Sequence, residues 1–114
     1  MDLAHQLLDA VRQITPEQRS SARAFHNAME NGLVKKGWKV VREFCVKDRG
    51  DGVRGRIDLV VLSPCRIGIE LDNVIVRKKS RFKLSQFDGS GFVVLRQSGR
   101  IVECKKAPNP NPGS

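Results

Sequence analysis

With 114 residues, 39% hydrophobic and 29% charged, the chain fits one soluble domain of the common size, about 100 to 150 residues, and can bury a core without a disulfide or structural metal. No apolar run approaches the roughly 20 residues that span a bilayer, and "MDLAHQLLDAVRQ" lacks the basic start and cleavage site of a leader, so a cytoplasmic protein without membrane contact is expected. Lys and Arg number 21 against 12 Asp and Glu, a net charge of +9, which favours a polyanionic partner, nucleic acid before membrane, over a merely lysine-rich surface.

Leu3, Leu7, Ala10, Val11 and Ile14 recur on one helical face, predicting a helix over residues 2 to 14. Thr15-Pro16 stops it and starts the next: Thr15 caps, Pro16 suits the first helical position, and Gln18 completes a capping box. Ala22, Phe25, Ala28, Met29 and Leu33 mark that second helix's buried stripe, which Gly37 ends. From Trp38 the residues become β-formers. "WKVVREFCV" is a strand, "KDRGDG" a polar turn, Arg54 to Leu62 a second strand, "SPC" a turn, and Arg66 to Asp72 a third strand. Val76, Ser80, Leu84 and Phe87 suit a helix, and "GFVVLRQSGRIVECK" a closing hairpin around Ser98-Gly99. The proline-rich end, residues 107 to 114, is expected to be a disordered tail behind a single domain of residues 1 to 106. Cys45, Cys65 and Cys104 are widely spaced without a C-x-x-C pair, so reduced, buried thiols are expected. The order α-α-β-β-β-α-β-β points to an α/β or α+β layer fold.

Strand alternation places Ile57, Leu59, Val61, Ile67, Ile69 and Leu71 on a core face. The other face, with Arg56, Asp58, Val60, Leu62, Arg66, Gly68, Glu70 and Asp72, is expected to meet solvent or a cleft. If Ser63, Pro64 and Cys65 form the loop, Asp58 lies opposite Glu70, with Cβ atoms about 4.5 to 5.5 Å apart. Two like charges there repel unless a cation separates them, and Gly68 leaves space for something to approach. A hard cation such as Mg²⁺ suits such acids. Pairing of these acids with Arg56 and Arg66 is the alternative, as is a shorter turn that separates them.

Asp58 in "RIDLVV" and Glu70 in "GIELDN" together resemble the PD-(D/E)XK nuclease superfamily. Its signature is an Asp on one core strand, a short hairpin, then (Asp/Glu)-X-Lys on the next. "IELDN" is similar to the Ile-Glu-X-Asp-Gly variant of the very-short-patch-repair-like endonucleases, and "RKKSRFKLSQF" followed by "GFVVLR" resembles small phage and bacterial members. The likeness spans roughly residues 16 to 105. It implies a restriction-endonuclease-like core, a central mixed sheet flanked by helices. It also implies Mg²⁺ or Mn²⁺ held by Asp58, Glu70 and the Leu71 carbonyl. Asp72 stands where the family carries Lys, and would complete a second metal site or orient water. A lysine from the following helix would then substitute, Lys79 first, with Lys78 and Lys83 behind it. Arg77, Lys78, Lys79, Arg81 and Lys83 would hold backbone phosphates; a solvated basic face is the competing view. An acid from the first core helix is implied, with Glu30 the candidate, Glu43 its rival, and His26 a surface histidine before a base.

The expectation is a Mg²⁺-dependent DNA endonuclease, structure-selective or nicking, in repair, recombination or phage DNA processing. The alternative is a degenerate nuclease fold that binds nucleic acid or a protein partner, and a third is an adaptor with an incidental basic surface. Cutting both strands of a duplex would need two active sites, which keeps a homodimer open.

Overall fold

In the computed structural model, which describes residues 3 to 104, the elements follow the expected order. They are α1 (Leu3–Arg12), a 3-10 turn (Glu17–Arg19), α2 (Ala22–Lys35), β1 (Lys39–Val46), β2 (Gly55–Ser63), β3 (Ile67–Asp72), α3 (Lys78–Ser85), β4 (Ser90–Leu95) and β5 (Ile101–Glu103). The tail expected over 107 to 114 lies outside the described residues.

The fold is α+β, and its five strands form one mixed sheet in the order β1-β2-β3-β4-β5. β1, β2 and β3 are antiparallel neighbours, β3 and β4 run parallel with α3 as the crossover, and β5 returns antiparallel to β4. The three-residue reversal over Ser63, Pro64 and Cys65 has the expected register, pairing Leu59 with Ile69, Val60 with Gly68 and Val61 with Ile67. At the closing hairpin Gly99 adopts φ 76°, a left-handed turn position that glycine takes without Cβ strain.

The capping box forms, with Thr15 N–H donating to Gln18 Oε1 at 2.9 Å and Gln18 N–H to Thr15 Oγ1 at 3.2 Å. It closes only the 3-10 turn. α2 begins six residues later than Pro16, where Ser21 accepts from Ala24 N–H at 3.1 Å. A local hydroxyl cap satisfies one orphan donor of a first turn; two such caps in succession divided what the pattern suggested was one helix.

Two apolar layers sandwich the sheet. Leu7, Val11, Phe25, Met29 and Leu33 of α1 and α2 pack on Leu59, Val61, Ile67, Ile69, Phe92 and Val94. Leu84 of α3, with Phe87 just beyond it, packs on Ile57, Val60, Val93 and Leu95 on the opposite face. The face expected to meet solvent is therefore covered. Gly68 admits this helix and no ligand: a Cβ there would sit 3.0 Å from Leu84 Cδ2 and 3.2 Å from Phe87 Cδ2. All three cysteines are free thiols, but only Cys104 is buried; Cys45 is exposed, because the two-residue alternation of β1 is broken just before it.

Candidate functional site

That break shapes the site. Val41 and Phe44 pack on the same α3-side cluster although three residues apart, as do Ile57 and Val60 of β2. Each strand slips by one residue between the members of its pair. In β1 the slip holds Glu43 at φ 55°, a left-handed conformation that costs a non-glycine residue of order 1 kcal/mol or more. In β2 it holds Asp58. Ladder pairs Arg42–Leu59 and Phe44–Ile57 flank the irregularity.

The ladder between β2 and β3 stops at Leu59–Ile69. In the next pair out, side chains replace main chain as acceptors. Asp58 N–H donates to Glu70 Oε2 at 2.8 Å, and Leu71 N–H donates to Asp58 Oδ2 at 2.8 Å. The two acids are adjacent as expected, but their surroundings differ. Asp58 lines a cleft of about 300 Å³ on the α2 side with Phe25, His26, Leu71, Asp72, Arg77 and Arg96. Glu70 is fully buried and meets Lys83 of α3, whose Nζ lies 2.5 Å from Oε1 and 2.9 Å from the Arg56 carbonyl oxygen. Lys83 is the one partner of Oε1, which has no other hydrogen-bond donor beside it. Burial first, then the Asp58 charge, pushes the Glu70 carboxyl up to about 7, against the opposing pull of Lys83.

Asp72 is buried and committed to α3. Its Oδ1 accepts from Arg77 Nε and Ser80 Oγ, and its Oδ2 from Arg77 N–H, all at 2.9 Å. Neither Arg56 nor Arg66 pairs with the hairpin acids. Arg66 binds Asp88 at 2.9 Å and stacks over Phe87 with its guanidinium carbon 5.1 Å from the ring centre.

Glu30 is not brought to the cleft: it faces Arg42 Nε at 3.4 Å. Its rival is. His26, Glu43 and Asp58 each offer one donor atom, all within 4.8 Å of one another. Arg42 Nε also donates to His26 Nε2 at 3.2 Å, tying the imidazole between β1 and α2. Among the α3 cations, Lys78 and Lys79 are exposed, and Arg81 points to Cys104 Sγ, 3.9 Å away. Lys83 alone turns in to the acids. Burial pushes the Cys104 thiol up, with Arg81 opposing.

Sequence reasoning missed Arg96. Parallel pairing of β3 and β4 aligns Asp72 with Leu95, and Arg96 N–H donates to the Asp72 carbonyl at 2.8 Å, so both strand ends converge on the cleft. A helix between two strand-like runs, the signature of a parallel crossover, was the signal for it. Comparison with family models, curated proteins and solved structures gives no match to the chain. The chemistry of the donor set fits a divalent cation. Two carboxylates and an imidazole suit Mn²⁺ well, and Mg²⁺ through the carboxylates.

Proposed function

We propose that the chain is a metal-dependent nuclease that hydrolyses phosphodiester bonds in DNA. The observation that carries this reading is the convergence of His26, Glu43 and Asp58 donor atoms within 4.8 Å, where His26 and Asp58 line a cleft that also carries Arg77 and Arg96 and Glu43 lines the depression next to it. These three side chains would hold a divalent cation; Glu70, expected as a ligand, is instead taken up by Asp58 N–H at one oxygen and Lys83 at the other. When bound, such an ion polarises a phosphoryl oxygen and lowers the pKa of coordinated water.

The protein's own groups do the rest. Glu70 orients Asp58 by accepting its N–H, and Leu71 N–H orients the Asp58 carboxylate. Lys83 takes the place of the motif lysine: its ammonium favours the ionised form of a carboxyl that burial otherwise protonates. Arg77 and Arg96 hold phosphate oxygens and fix the scissile bond without reading sequence.

One observation favours the second reading, a nuclease-like fold that only binds. Asp72 already accepts three hydrogen bonds within the helix cap, so it has little capacity left for a second ion.

Supercoiled, branched and single-stranded DNA incubated with Mg²⁺ or Mn²⁺ tests the proposal, alongside calorimetric titration of Mn²⁺ without DNA. Wild type is expected to nick or cut at least one substrate and to bind Mn²⁺, and Asp58→Ala to lose both. Identical background from the two proteins on every substrate, with no Mn²⁺ heat for either, would overturn it. DNA binding unchanged by chelator, without cleavage, selects the binding module.

A further inference from the structure

We infer that the backbone of the nucleic acid is gripped in a second groove, on the α3 side of the sheet. This inference rests on the reading above for its partner and names the surface that engages it. The groove has a volume of about 390 Å³ and is built by the β1–β2 turn, the start of β2 and α3. Apart from Gly55, every residue lining it is cationic: Arg49, Arg54, Arg56, Arg77, Lys79 and Lys83.

Internal partners account for only some of these charges. Arg49 is held by Asp51 at 2.9 Å and Lys83 by Glu70 at 2.5 Å. Arg77 bonds to Asp72, yet its side chain remains 57% exposed. Arg54, Arg56 and Lys79 make no ion pair among the described residues, although Lys79 acts on Asp51 through space. Cations crowded into one concavity repel each other, and an anionic polymer relieves that repulsion while releasing its own counterions. Guanidinium forks match phosphate oxygens in pairs.

Arg77 decides between a nucleic acid and an anionic membrane. It lines both this groove and the cleft that holds Asp58. The two depressions are therefore neighbours across one arginine, which suits a narrow polymer passing from the groove to the cleft better than a flat headgroup layer. The helix also sorts the cations. Lys78 and Arg81, which sequence alone grouped with the phosphate-holding set, lie outside the groove, while Arg54 and Arg56 from β2 and its preceding turn enter it.

The test is fluorescence anisotropy of a labelled duplex and a labelled single strand, in chelator, across a salt series. Wild type is compared with the groove variant R54Q/R56Q/K79Q and with the charge-matched control K78Q/R81Q/R100Q, each checked for native circular dichroism. The groove variant is expected to lose about tenfold or more in affinity, and its log–log salt slope to fall by about two to three, at ~0.9 per phosphate contact. The control should change little by comparison. Equal losses in the two variants would overturn the groove in favour of net charge. So would binding to phosphatidylserine vesicles that the groove variant abolishes while duplex binding is unchanged. Absence of metal-dependent cleavage by wild type, with the groove variant still selectively weak, would remove the nuclease and leave the groove standing. Cleavage by the groove variant with wild-type KM and kcat would do the reverse.

Discussion

Glu70 carries no exposed surface, and one of its oxygens has nothing but an ammonium to offset its burial, a costly arrangement for a charged group without that partner. Lys83 is that partner. With the folded carboxyl near 7 and an ordinary value of 4.5, the folded chain keeps a proton that the unfolded chain has released between those values. Stability contributed by this group is therefore present below about 4.5 and lost as pH rises through about 7. In chelator, wild type is expected to lose about 5 °C or more in Tm across that window, and Glu70→Gln, neutral throughout, to lose much less. Equal slopes in the two proteins, followed by circular dichroism, would show that Glu70 does not titrate there. Asp58 and Glu70 were both legible as a motif at one hairpin. Their unequal burial was not, because it depends on which helix covers which edge of the strand.

At the scale of elements, α3 is the piece that a sequence pattern describes least well. It is eight residues long, with Lys78, Lys79, Arg81 and Lys83 among them, and little in such a stretch drives helix formation alone. Its start depends on Asp72, at the end of β3, which accepts from Arg77 and Ser80. Asp72→Ala leaves Ser80 Oγ buried without that acceptor and should cost about 3 kcal/mol in urea unfolding; a loss below about 0.5 kcal/mol would refute the cap. The other end is held by packing through Gly68. Gly68→Val adds atoms where even one Cβ meets Leu84 at 3.0 Å, and should cost about 1 to 3 kcal/mol by overpacking. Unfolding at wild-type urea concentrations would mean that α3 shifts freely. The spacing of Val76, Ser80, Leu84 and Phe87 located a helix here, which the structure limits to Lys78–Ser85, and three of those four residues are buried. It could not predict that the basic residues between them would divide among three surroundings.

For the whole molecule, two apolar layers share one sheet, so neither can lose its packing without exposing the strands of the other. Unfolding should be a single cooperative transition. Trp38, the only indole, is 8% exposed and belongs to the α1–α2 layer. Its fluorescence should follow the same denaturant curve as far-ultraviolet dichroism, and separated midpoints would show that the α3 layer melts independently. The sequence by itself determined the order of helices and strands, the hairpin register and the pairing of acids with an excess of cations, because turn residues, β-branched runs and helical spacing are local properties of the chain. Tertiary structure decided the rest. The slips at Glu43 and Asp58 put His26 within reach, the parallel crossover brought Arg96 to Asp72, and α3 covered the presumed open face and turned Lys83 toward Glu70. Each of these joins residues far apart in the chain; the strand-helix-strand order signalled the crossover, but contact between the residues is set by how the layers pack.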